Sequence, residues 1–240
     1  MLEHPAPKQA QLRLSNVQAF YGESHILHGI DLHVHRGELV TLLGRNGSGR
    51  STLLKSIMGM VGRRTGSILI DGTESTRLPA FRIPRLGAGY CPEERGIFAS
   101  LDVEENLLLP PTVRSGGMTL DEIYEMFPNL YERRRSQGTR LSGGEQQMLA
   151  MARILRSGAD LLLLDEITEG LAPVIVQKLA EVLVKLKQKQ LTILLVEQNF
   201  RFAAPLADRH YLIEHGRILD EISAAELPGK MDLLHRQLGV

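Results

Sequence analysis

Leu42-Leu43-Gly44-Arg45-Asn46-Gly47-Ser48-Gly49-Arg50-Ser51-Thr52 joins two regular patterns through a glycine-rich turn. Before it, Leu39 to Leu43 is a mostly apolar run of strand length. After it, Leu53, Leu54, Ile57 and Met58 recur at helix spacing, so a helix is expected to open at Arg50. Strand, glycine loop and helix form a setting in which backbone N–H groups converge on an anion, helped by the partial positive charge of the helix start. Residues Gly44, Arg45, Asn46, Gly47, Ser48, Gly49, Arg50, Ser51 and Thr52 are therefore candidate phosphate-binding residues. The Ser51 hydroxyl falls where it would ligate Mg²⁺.

Gly44 and Gly49 have the separation of the pattern G-x-x-x-x-G-K-[ST], but Arg50 stands where lysine is expected. Lysine offers a compact point charge, whereas guanidinium is a wide planar fork. Taken alone, the stretch also fits a strand-to-helix turn with no ligand, and the rest of the chain has to decide.

The 240 residues carry 28 Lys+Arg against 28 Asp+Glu, a formal charge of zero. That argues against a general nucleic-acid binder, which shows a basic excess. One cysteine, Cys91, excludes an internal disulfide. No apolar run is long enough to span a bilayer, so a membrane role is expected only through a partner.

Upstream, Leu12 to Tyr21 and Ile30 to Val34 read as two strands, a small antiparallel sheet beside the main one. His33 and His35 share a strand face there; without a third ligand they read as a solvated face. Tyr21 is an aromatic placed to stack on a base if the loop holds a nucleotide. Downstream, residues 67–71 and 88–91 read as short strands, and Glu93 follows the second as a carboxylate placed to sense Mg²⁺. Residues 101–155 turn helical and read as a lobe inserted between strands. Within it, Ser142-Gly143-Gly144-Glu145 opens a helix with a capping serine and bare N–H groups, a second anion-binding helix start. Leu161 to Leu164 is a buried strand ending in Asp165-Glu166, where α/β sheets bind ligands. Asp165 suits Mg²⁺, and Glu166 suits the orientation or deprotonation of an attacking water. Residues 191–196 form a further strand, after which Gln198 suits a phosphate or that water. A hairpin around Gly216 and a helical tail from Ala224 to Leu238 complete the chain.

In this order the motifs resemble the ATP-binding subunits of ABC transporters, from about Leu12 to Leu219. Leu141-Ser142-Gly143-Gly144-Glu145-Gln146-Gln147 is similar to the family's signature, and Tyr21 stands at the place of its adenine-stacking aromatic. Residues 92–98, 103–107, 169–173 and 196–199 look most like the ATPases of branched-chain amino acid importers, Glu93 and Gln198 included. The resemblance implies an α/β P-loop NTPase: a mostly parallel core sheet flanked by helices, a small antiparallel β subdomain and an inserted helical lobe. It implies one domain over 11–240, with the core at about 11–92 and 157–240, the lobe at about 93–156, and a flexible tail at 1–10.

The resemblance further implies ATP and Mg²⁺ as ligands and puts Glu93 at the place of the glutamine that couples to the membrane subunit. By their positions, Glu166 and Gln198 are the catalytic candidates, and Ser51, Glu93 and Asp165 the candidates about the metal. Ser142, Gly143, Gly144 and Glu145 would face the nucleotide of a second ATPase subunit, identical or homologous, in a head-to-tail dimer. Transmembrane permease subunits, and indirectly a solute-binding protein, are the further partners, with no nucleic acid. The chain is then expected at the cytoplasmic face of the membrane. Arg50 leaves a hydrolysis-impaired, ATP-gated half of a heterodimer as an alternative, and a non-transport ABC ATPase as a second.

Overall fold

The computed structural model describes residues 9–238. Residues 1–8 of the expected tail lie outside the described residues. Gln9 accepts a hydrogen bond from the Arg36 N–H, and Ala10 already belongs to the first strand.

Strands β1 (Ala10–Tyr21) and β2 (Ser24–His35) lead to β3 (Leu39–Leu43) and helix α1 (Arg50–Ile57). Strands β4 (Arg63–Ile70), β5 (Thr73–Glu74) and β6 (Ala88–Cys91) follow. Helices α2 (Val103–Leu108), α3 (Leu120–Met126), α4 (Pro128–Glu132) and α5 (Gly143–Arg156) come next. The chain then alternates β7 (Leu161–Asp165), α6 (Pro173–Gln188), β8 (Thr192–Glu197) and α7 (Phe200–Ala203). It closes with β9 (Arg209–Glu214), β10 (Arg217–Ser223) and α8 (Met231–Leu238).

Two sheets result. The larger has the order β10-β9-β3-β8-β7-β6, with only the β9/β10 hairpin antiparallel. The smaller, β2-β1-β4-β5, is antiparallel, as the two upstream strands suggested. A parallel sheet is covered on both faces, and its strands therefore read as continuous apolar runs. The four leucines of β7 are alike in sequence and divide by alternation. Leu162 and Leu164 face the helical side of the core, while Leu161 and Leu163 face the α1 side. In β8, Ile193 and Leu195 part from Leu194 and Val196 in the same way.

Some expected boundaries move. β4 begins at Arg63, because residues 63–65 pair with 18–20 of β1 across a register shift. The tail is helical only over Met231–Leu238, after a 3-10 turn at Leu227–Lys230 containing Pro228. His33 and His35 are not a solvated face. They are partly buried, His33 against Tyr211 and His35 Nδ1 3.1 Å from Glu38.

Those histidines border the polar junction that ties the small sheet to the large one. Arg209 Nε donates to Glu38 Oε1 at 2.6 Å and Nη2 to Glu38 Oε2 at 2.9 Å. Nη2 also reaches the His33 carbonyl at 2.9 Å, and Nη1 the Tyr211 hydroxyl at 3.0 Å. The pair is mostly out of water, so removing one partner strands a charge. Arg209→Met is therefore expected to lower stability by about 3 kcal/mol in urea unfolding. A second change, Glu38→Leu, is expected to restore part of that loss; full retention of stability in Arg209→Met would show the junction to be idle.

Candidate functional site

The parallel strands β3, β6, β7 and β8 all end on one side of the sheet, where open α/β sheets take ligands. The loop after β3 is the floor of that end. A Cβ on Gly44 would sit 2.4 Å from the Ile213 carbonyl and 2.6 Å from Ser48 Oγ, so only glycine fits. Gly49, at φ 106°, is the N-cap of α1 and supplies no side-chain cap. The first N–H groups of α1 are therefore left without a capping side chain at the mouth of the loop. Ser48 Oγ is buried with no hydrogen-bond partner among the described residues. An uncapped helix start beside an orphaned hydroxyl suits an anion, so the loop fits a polyphosphate.

A cleft of about 530 Å³ opens over this loop, lined by Asn46 to Thr52 and, opposite, by Glu93, Glu166, Glu169 and Gln198. Gly44 and Arg45 line a second cavity behind the loop, with Glu214 and His215. Tyr21 is 44% exposed at the end of β1 and is not in the cleft wall; Ile26, on β2, is.

Asp165 is buried at the end of β7. Its Oδ1 accepts from Ser51 Oγ at 3.0 Å and its Oδ2 from the Tyr90 hydroxyl at 3.0 Å. β8 lies between β3 and β7, so Asp165 meets the loop through α1 rather than through a paired strand. Burial pushes the Asp165 carboxyl up, and the two hydrogen bonds pull it back. Glu93 is also raised, first by burial and then by Glu166 and Glu94 nearby. Among the described residues, no three His, Cys, Asp or Glu side chains are placed to hold a metal by themselves. Mg²⁺ fits such a place, since it takes one or two carboxylates and completes its shell with water and phosphate oxygens.

Arg50 does not reach into open cleft. Its side chain is 3% exposed, and Nη2 donates to Glu166 Oε1 at 2.7 Å. Nη2 also lies 3.3 Å from Asn46 Oδ1, and Nη1 donates to the Glu197 carbonyl at 3.0 Å. Glu166 has a left-handed backbone, φ 46°, fixed by its N–H on the Val196 carbonyl. Its Oε2 accepts from Gln198 Nε2 at 2.8 Å. Glu166, Gln198, Arg50 and the loop thus converge, as the sequence suggested, while the direct Arg50–Glu166 pair was not foreseen.

Ser142, Gly143, Gly144 and Glu145 lie elsewhere, at the start of α5 in the helical region. A reciprocal capping box joins them: Ser142 N–H donates to Glu145 Oε2 at 2.7 Å, and Glu145 N–H to Ser142 Oγ at 3.3 Å. They do not line the cleft of their own chain.

The loop, the acids on the strand ends and the cleft between them define a P-loop nucleotide-binding protein with a mixed, mostly parallel sheet. Residues 27–169, more than half of the chain, match the family described as ABC transporter, and the chain belongs to that family. It is 42% identical to the high-affinity branched-chain amino acid transport ATP-binding protein BraG of Pseudomonas aeruginosa, over 90% of this chain and 94% of that protein. It is 39% identical to the probable branched-chain amino acid transport ATP-binding protein LivF of Archaeoglobus fulgidus, over 90% and 93%. Its structure is similar to that of a dimeric ATP-binding cassette in a post-hydrolysis state bound to ADP and Pi. The TM-score is 0.79 at 25% identity, covering 89% of this chain and 98% of the other. The family and fold expected from the order of motifs are thereby borne out.

Glu197 was not foreseen as part of the site. It is 2% exposed at the end of β8 and holds the segment after Glu166: Thr168 N–H donates to Oε1 at 3.1 Å and Thr168 Oγ1 to Oε2 at 3.0 Å. Burial pushes its carboxyl up to about 7. A carboxyl raised on folding takes up a proton with folding, so its stabilisation is complete below the unfolded pKa and is lost as pH rises through the folded one. Stability is expected to fall between roughly pH 4.5 and 7 by up to about 3 kcal/mol from this group. Urea unfolding at a series of pH values, with Glu197→Gln as reference, checks this; equal slopes in both proteins would refute it.

Proposed function

We propose that the chain binds and hydrolyses ATP as the motor subunit of an importer for branched-chain or related amino acids. The observation that carries this reading is the meeting of Ser51 with Asp165 and of Glu166 with Gln198 beside a glycine loop whose helix start has no side-chain cap. The 42% and 39% identities to amino acid transport ATP-binding proteins support the choice of solute. The chain is read as one ABC ATPase domain, with residues 93–156 as its helical lobe.

In this reading the loop amides from Gly44 to Thr52 grip the phosphates, with Mg²⁺ near Ser51, Asp165 and Glu93. Held there by Ser51, Asp165 and Glu93, the ion would supply the positive charge that lets the acid-rich wall accept a polyphosphate. Glu166 takes the proton of the attacking water, and Gln198 holds that water in line. Tyr21, exposed at the end of β1 in the same small sheet as Ile26, stacks on the adenine. The Ser142-Gly143-Gly144-Glu145 helix start serves the nucleotide of a second subunit, identical or homologous, packed head to tail. Its separation from its own cleft favours that arrangement. Closed and open pairs differ in affinity for ATP, and that difference drives motion.

Permease subunits are the natural recipients of the motion, with a solute-binding protein beyond them. Among the described residues no helix is long and apolar enough to cross a membrane. A groove of about 850 Å³, walled by the exposed Phe81 and Met60 and by Pro110, Arg85 and Arg95, suits an amphipathic segment of such a partner. The subunit would then sit at the cytoplasmic face of the membrane.

One observation favours a second reading, an ATP-gated half of a heterodimer with slow turnover. Arg50 occupies Glu166, the carboxylate needed as base. Phosphoryl transfer depends almost wholly on position and charge, so a restored lysine is expected to raise ATP turnover roughly tenfold in Arg50→Lys. Steady-state and single-turnover phosphate release check this. A native rate already equal to that of the lysine variant would dismiss the slow-subunit reading, and no hydrolysis by either would dismiss the motor.

A further inference from the structure

We propose that Arg50 is shared between two anions: without nucleotide it clamps Glu166, and a nucleotide phosphate takes its Nη2 arm and releases that carboxylate. The inference rests on the nucleotide-binding reading above and says how the site is held between turnovers.

The geometry of the two arms is unequal. Nη1 is fixed on a backbone carbonyl, that of Glu197, at the end of a fully buried strand. Nη2 is held by a side chain, Glu166 Oε1, with Asn46 Oδ1 as a longer contact in the loop itself. A planar fork keeps one arm anchored while the other changes partner; a lysine ammonium has no second arm to stay behind. Arg50 therefore exchanges anions without leaving its place under the loop.

Charge makes the exchange necessary. Among the described residues lining the cleft, Arg50 is the one cation, against Glu93, Glu166 and Glu169. A polyphosphate entering the loop adds further negative charge to the cleft that Glu166 lines. Both side chains of the pair are mostly out of water, at 3% and 10% exposure, so neither charge is well screened by solvent. While Arg50 is engaged on Glu166, the incoming phosphates lack a cation from the protein. Once they recruit it, Glu166 keeps a neutral partner in Gln198 Nε2, which holds the freed carboxylate in the cleft. Glu166 becomes an available base only when a phosphate is present to be attacked. By linkage, the same contact opposes nucleotide binding as much as binding opposes the contact.

MgADP is the suitable probe, because it tests the exchange without turnover. The full chain labelled with ¹⁵N-arginine gives side-chain signals, among which that of Arg50 is identified by its loss in Arg50→Lys. On adding MgADP the Arg50 guanidinium signal is expected to shift, and Glu166→Gln is expected to shift it already in the nucleotide-free chain. Calorimetry is expected to show MgADP bound about tenfold more tightly by Glu166→Gln, since the competing charge is gone. MgADP binding with an unmoved Arg50 signal would make Arg50 a fixed strut and overturn the proposal, as would an affinity unchanged or weakened in Glu166→Gln. The signal of the native chain decides even if that variant fails to fold. Absence of any MgADP or MgATP binding is a different result, which overturns the nucleotide reading itself and the exchange with it.

Discussion

A guanidinium with 3% of its side chain in water must have an anion beside it, and here that anion is Glu166 at 2.7 Å. Breaking such a pair on one side costs about 3–5 kcal/mol, because the remaining charge stays buried. The constraint reaches well beyond the two residues. It requires α1 to start directly under the ends of β7 and β8, which fixes the turn from Gly44 to Gly49. It also requires Glu166 to leave β7 in a left-handed conformation, φ 46°, so that its carboxylate turns back toward the loop. Such a backbone is uncommon outside glycine and asparagine, and it lies at the residue whose direction matters most.

The remaining polar groups at the strand ends form a supporting layer. Tyr90 and Ser51 hold the two oxygens of Asp165, and Glu197 holds the Thr168 backbone and hydroxyl. Each buried carboxylate there has its acceptors filled by named donors, as a dry site demands. The layer stands on leucine-rich strands whose side chains point alternately into two cores, so the strand ends have little freedom to shift. A cleft of about 530 Å³ on one side thus faces firmly packed strand ends on the other.

Much of this was legible in the residues. Gly44 and Gly49 announced a loop with no room for side chains, and the apolar runs 39–43, 161–164 and 191–196 announced buried strands. Asp165, Glu166 and Gln198 stood out because they close buried strands on the side where α/β sheets take ligands, and the structure brings Asp165 to Ser51 and Glu166 to Gln198 there. What stayed hidden was contact across long separations. The Arg50–Glu166 pair spans 116 residues, and no local pattern tells whether an arginine at that place points at solvent or at a carboxylate. Tyr90 was hidden because it lies within a strand run, where a polar residue looks like an edge rather than a support; Glu197, directly after the run 191–196, was hidden because nothing local shows that it turns to Thr168, 29 residues away. His33 and His35 misled for the converse reason: alternation put them on a face, but the Arg209 junction covers that face. Tyr21 was picked out by its place in the sheet ahead of the loop and again by likeness to a family, and the structure puts it at the exposed end of β1, outside the cleft wall.

In the proposed function, phosphates are seated by main-chain amides of the loop and the first turn of α1. Amide hydrogen exchange of the full chain, with and without MgATP, addresses it directly. Strong protection of residues 46–52 is expected on binding, together with protection at 142–145 whenever a second subunit closes over the nucleotide. MgATP bound with no change in exchange over residues 46–52 would contradict it, because the triphosphate would then be held somewhere else.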